Sequence, residues 1–196
     1  MELSEISLVI PYRKNPYLEK VLETVYKYFS EIIVVGDKFY QKEKYKNVNF
    51  KYYANLNASQ ARNIGAKYSS KKYIFFLDAD CIPSTSFLDS IKNLNISRNE
   101  ILASTYTINK NQSNFISDVM SLLIKSRLLN QNSKHKKFSS AGFIISKEFF
   151  NYIGKFNEDM NSLEDTDLSV RANIFGCKVK YEKNFELLHL KKYNFI

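Results

Sequence analysis

Residues 73–83 read Tyr-Ile-Phe-Phe-Leu-Asp-Ala-Asp-Cys-Ile-Pro, YIFFLDADCIP: five apolar or aromatic residues run into two aspartates separated by one alanine. A short apolar run bounded by turn residues predicts a buried strand over 73–77. Aspartate is common where strands end, because its side chain suits turns. Two carboxylates at the carboxyl end of a buried strand also suit a hard divalent cation. The rest of the chain has to separate a turn from a site.

The chain has 196 residues, of which 44% are hydrophobic and 25% charged. That is enough for one domain with a sizeable core and too little for two. The expected organisation is a single domain over 1–196. No stretch approaches the roughly 18 apolar residues of a membrane span. The start, MELSEISLVIPYR, is acidic where a signal peptide would be basic, so a cytoplasmic protein is expected. Cys81 and Cys177 have no C-x-x-C spacing and read as reduced structural thiols. The net charge of +9 fits nucleic acid, an anionic membrane surface or phosphate-bearing ligands. Its lysines are scattered and no recognised nucleic-acid motif accompanies them, so nucleic acid ranks last.

Outward from the opening stretch, strands and helices alternate. Strands are expected at 6–10, 31–37 and 48–53, each rich in apolar residues. A helix after Asn15-Pro16 carries Leu18, Val21, Leu22, Val25 and Phe29 at helical spacing, with Asn15 as its N-cap. A second helix spans 58–67. Near-continuous apolar strands joined through helices predict an α/β fold with a mostly parallel central sheet flanked by helices. Residues to about 83 form a nucleotide-binding half in outline, and residues from about 84 a less regular second half. There, helices are expected at 86–94, 114–130, 147–153 and 164–175. Strands are expected at 101–108, 141–145, 178–182 and 186–190, and a polar loop at 132–140.

In open α/β sheets ligands gather outside the carboxyl ends of strands. Pro11-Tyr12-Arg13, Gly36-Asp37 and Asp78-Ala79-Asp80 all fall there. A chain turn after Leu77 would let both aspartates converge on one cation, or on a cation and a ribose.

The segments SLVIPYRKN, EIIVVGD, NASQARNIGAKYSSKKYIFFLDADCIP, SSAGFIISKEFFNYIGKFNE and LEDTDLSVRANIFGCKV occur in that order. Together they make the chain resemble the family 2 glycosyltransferases of the GT-A fold, over Ser7 to about His189. The resemblance implies a nucleotide-diphosphate sugar lying across the first half, with a UDP-sugar favoured. Pro11 and Tyr12 would border the nucleoside and Asp37 the base, although Gly36 stands where the family commonly has a second acid. Arg62 would approach the nucleotide or diphosphate, since a guanidinium suits phosphate. Asp80 would ligate Mn²⁺ or Mg²⁺, with Asp78 contacting ribose or the metal and His189 as a third protein ligand.

Acidic residues at 164–167, EDTD, also suit the first turn of a helix. By the resemblance Asp165 becomes the catalytic base, with Glu164 as a supporting or acceptor-binding carboxylate. Arg171 would brace that helix, and His135 receives no role. The chain contains no Trp, so the Gln-x-x-Arg-Trp motif of processive members is missing and a single transfer is expected. The resemblance implies an inverting transfer to a glycan or lipid-linked acceptor in cell-surface glycan assembly. The other reading is a catalytically silent GT-A-like binding domain in a glycan assembly complex. Segments 114–130 and 132–140 could approach the inner face of a membrane. A buried helix followed by a solvated loop is preferred, because the apolar face is not unusually large.

Overall fold

The computed structural model describes residues 2–37, 44–107 and 136–190, together with positions 119, 122, 123 and 126. The helix expected at 114–130 and the loop residues up to His135 lie outside the described residues, apart from those four helical positions. In chain order the strands are β1 Ile6–Tyr12, β2 Glu31–Gly36, β3 Val48–Tyr52, β4 Tyr73–Leu77, β5 Cys81–Pro83, β6 Glu100–Thr107, β7 Gly142–Ser146 and β8 Lys178–His189. The helices are α1 Leu18–Val25, α2 Ala58–Tyr68, α3 Thr85–Ser90, α4 Lys147–Tyr152 and α5 Glu164–Ile174.

The strands form one sheet in the order β3-β2-β1-β4-β7-β6-β8-β5. β3, β2, β1 and β4 run parallel, as the apolar runs imply. Beyond β4 the sheet is mixed: β7 is antiparallel to β4 and β6, whereas β6 and β8 are parallel. Strand alternation buries both faces. Leu8, Ile10, Phe75 and Leu77 join the core beneath α1 and α3, while Val9, Ile74 and Phe76 join the core beneath α2, α4 and α5.

Several boundaries differ from expectation for local reasons. Asn15 does not cap α1: its side chain accepts from the Tyr17 N–H at 2.9 Å, and the helix begins at Leu18. β5 was not anticipated because it has three residues and ends in Pro83; it lies at the sheet edge, where a missing N–H is tolerated. The two strands expected at 178–182 and 186–190 are one strand, β8. The interruption in apolar pattern is a register shift against β6, between the Ala103↔Tyr181 and Thr105↔Glu186 pairs. No helix among the described residues is long and apolar enough to cross a membrane.

Candidate active site

The carboxyl ends of β1, β2 and β4 open into one cleft of about 460 Å³, within the size range of small-molecule sites. Pro11, Tyr12, Asp37, Arg62, Asp78 and Asp80 all line it, so the structure brings the six expected donor-side residues together. Asn15, expected only as a helix cap, also lines it, as do Asn57 and Asn161, which nothing in the sequence singles out as site residues.

The chain does turn after Leu77. The Cys81 N–H donates to the Asp78 carbonyl at 3.1 Å, and the Leu190 N–H, just past β8, donates to the Asp80 carbonyl at 2.8 Å. This turn sends the two aspartates to different partners. Asp78 Oδ1 accepts from Arg62 Nη2 at 2.7 Å. Asp80 Oδ2 lies 3.7 Å from His189 Nε2, because β5 pairs Cys81 directly opposite His189. Asp80, Cys81 and His189 present ligand atoms within 4.8 Å of one another. The carboxylate is the donor that Mn²⁺ and Mg²⁺ favour and the imidazole one that divalent transition metals accept, so the chemistry of the set fits a divalent cation.

The motif ARNIG on α2 is explained residue by residue. Asn57 and Gln60 form a reciprocal capping box that starts the helix. Gly65 lets α2 lie against β1: a Cβ there would come within 2.2 Å of Val9 Cγ1. The Asn63 amide donates to the Phe156 carbonyl and accepts from the Phe156 N–H, tying the loop after α4 to the helix. Arg62 is buried over the Phe156 ring and reaches Asp78 on one side and Glu164 Oε1, at 3.0 Å, on the other. Burial alone would lower the guanidinium pKa, but Asp78 and Glu164 outweigh it and hold it above its ordinary value. Burial pushes the Asp78 carboxyl up, with Arg62 opposing the shift and Asp80 and Glu164 adding to it.

Glu164 and Asp165 open α5. Leu163, the residue before them, has a left-handed backbone with φ of 62° and no side-chain cap. Ser140, just before β7, serves both acids: its hydroxyl donates to Glu164 Oε1 at 3.2 Å and its N–H to Asp165 Oδ2 at 3.4 Å. The sequence stretch SSAG held this residue without revealing its use. Arg171 donates to Asp167 at 3.0 Å and to the Ile153 carbonyl, joining α5 to the end of α4. Asp37 Oδ1 is buried at the cleft and has no hydrogen-bond partner among the described residues. Gly36 is a packing requirement, since a Cβ there would meet the Tyr12 carbonyl oxygen at 2.3 Å.

Nucleotide-sugar enzymes of the GT-A fold share this architecture. GalNAc-T7, solved with UDP, GalNAc and Mn²⁺, superposes with a TM-score of 0.69 at 16% identity, over 97% of this chain and 44% of its own. The mannosyltransferase PcManGT of Pyrobaculum calidifontis, solved with GDP-Man and Mn²⁺, gives 0.71 at 12% identity, over 95% and 56%. TarS of S. aureus, residues 1–349, gives 0.70 at 16% identity, over 96% and 60%. The chain thus spans about half the length of these solved chains. No curated protein matches it significantly in sequence. The model of the family described as "Glycosyltransferase like family 2" matches residues 7–194, and the chain belongs to that family.

Proposed function

We propose that this chain transfers a sugar, with inversion, from a nucleotide-diphosphate sugar to a hydroxyl of a glycan or lipid-linked acceptor. The observation that carries the reading is one cleft lined by Asp37, Arg62, Asp78 and Asp80, with His189 3.7 Å from Asp80 and Glu164 3.0 Å from Arg62. Residues to about 83 serve the donor and the remainder the acceptor. The setting is cytoplasmic surface-glycan assembly, with any membrane contact peripheral.

Asp37 Oδ1 accepts an N–H of the base, Tyr12 and Pro11 wall the nucleoside, and Asp78 faces the ribose through its oxygen not held by Arg62. Asp80 and His189 would hold Mn²⁺ or Mg²⁺, with Asp78 alongside. When bound, the ion supplies positive charge that neutralises the departing diphosphate. Asp165 takes the proton of the acceptor hydroxyl as that oxygen bonds to the anomeric carbon. The carbon–oxygen bond to the diphosphate breaks, and its electron pair leaves with the nucleotide. Ser140 orients Asp165, and Glu164, fixed by Arg62 and Ser140, borders the acceptor. Gly36 in place of a second acid is what would favour the alternative, a silent binding domain, and its close packing on Tyr12 gives that glycine a structural reason.

The test is Asp165→Asn assayed with UDP-sugars, by nucleotide release and by donor titration. Release should vanish while donor affinity stays within a few-fold. Loss of both together removes Asp165 as the base.

A further inference from the structure

Cys81 has no role in the proposed transfer, yet its sulfur is the third donor of the Asp80–His189 group. We propose that Cys81 is a direct metal ligand, making this an Asp-Cys-His site that prefers thiophilic divalent ions such as Zn²⁺ and Co²⁺ over Mn²⁺ and Mg²⁺. This rests on the proposed metal site and adds to it a residue that sets metal choice.

Three features carry the inference. Cys81 Sγ lies 3.7 Å from Asp80 Oδ1, and Asp80 Oδ2 lies 3.7 Å from His189 Nε2, so one carboxylate faces both other donors. With all three ligand atoms within 4.8 Å, small side-chain adjustments would bring an ion to about 2.0–2.3 Å from each. The placement is also enforced by the backbone. Cys81 and His189 are directly opposed across the β5–β8 ladder, and the Leu190 N–H holds the Asp80 carbonyl. Side chains opposed on neighbouring strands share a face of the sheet. Finally, three protein donors, of which Asp80 lines the cleft, match in number the protein ligands of catalytic rather than structural zinc sites.

Metal binding replaces the thiol proton, and one proton passes to solvent for each ion bound. Thiolate and imidazole favour Zn²⁺ and Co²⁺, whereas Mn²⁺ and Mg²⁺ favour oxygen donors. Mn²⁺ would then use Asp80 and His189 with the thiol still protonated, while Zn²⁺ would recruit the sulfur and displace Mn²⁺.

The experiment is a Co²⁺ titration of the full chain, with and without UDP, followed by absorption and by calorimetry. Bound Co²⁺ should show a near-ultraviolet thiolate-to-cobalt charge-transfer band beside its visible bands. The band should persist in Cys177→Ser and vanish in Cys81→Ala, and Zn²⁺ should bleach it in wild type. Zn²⁺ affinity should fall at least about tenfold in Cys81→Ala, with Mn²⁺ affinity changed less. Co²⁺ binding to wild type without that band overturns the inference and leaves an Asp80–His189 metal site standing, a result that needs no variant. A band that survives in Cys81→Ala also overturns it. Failure of both Co²⁺ and Mn²⁺ to bind, with or without UDP, overturns the inference and the metal site together.

Discussion

Arg62 Nη2 lies 2.7 Å from Asp78 Oδ1, joining the middle of α2 to the carboxyl end of β4 through a guanidinium that is only 3% exposed. Its other arm holds Glu164 at 3.0 Å, so one buried cation spans a carboxylate at the end of β4 and one at the start of α5. Its Nε is buried without a partner among the described residues. A charge is kept in such a place only if it is paired, because desolvation costs several kcal/mol per ion.

Removing that cation leaves the Asp78 and Glu164 carboxylates without the charge that pairs them. Arg62→Ala should destabilise the fold by about 3 kcal/mol, the low end for breaking a buried pair, because Asp78 retains some exposure. Arg62→Lys should recover part of this, since an ammonium cannot make both contacts as a fork. Urea unfolding of the two variants measures the difference. Equal stability of wild type and Arg62→Ala would show that the bridge contributes nothing net.

Gly36 ends β2 directly beside Tyr12 of β1. Any side chain there must displace the Tyr12 carbonyl, so Gly36→Ala should cost about 1–3 kcal/mol, the usual range for overpacking. Because Tyr12 and Asp37 both line the cleft, nucleotide affinity should fall with stability. Thermal melts and nucleotide titrations of the variant check both. An unperturbed melt would mean the strand ends separate more easily than their contact suggests.

Acid stability should depend on Glu31. Burial pushes its carboxyl up, but hydrogen bonds from Ser7 and from the Ser70 backbone and hydroxyl outweigh this and hold it below the ordinary value of 4.5. The unfolded chain therefore binds this proton more readily. The stabilisation is full above pH 4.5 and is lost as pH falls through the depressed folded value. Glu31→Gln should be less stable than wild type at pH 7, and the gap should narrow below pH 4.5. Asp78, shifted the opposite way, cancels from this comparison because both proteins carry it. Paired denaturant curves at pH 7 and pH 3.5 decide the sign.

The parallel half of the sheet was legible because buried parallel strands must be apolar on both faces, and ISLVI, EIIVVG and YIFFL are. The antiparallel entry of β7 was not, since AGFII reads the same in either direction and only its pairing with β4 fixes it. Pro11, Tyr12, Asp37, Asp78 and Asp80 were legible from their place after strands, and Arg62 only through the family resemblance. What Arg62 does was not: ARNIG reads as a helix, and its reach to Glu164, 102 positions away, is set by tertiary packing. Ser140 was hidden for the same reason. Cys81 looks like a core residue until the β5–β8 register sets it opposite His189, which the family resemblance already offered as a ligand.

The most direct test of the central claim is calorimetric titration of UDP and GDP into wild type and Asp80→Ala, with and without Mn²⁺. The account predicts binding of one nucleotide, with UDP favoured, that requires Mn²⁺ in wild type and is lost or strongly weakened in Asp80→Ala. Nucleotide binding with the same Mn²⁺ dependence in both proteins would remove Asp80 from the metal site. No binding of either nucleotide to the folded wild type, with or without metal, would contradict a nucleotide-sugar cleft altogether.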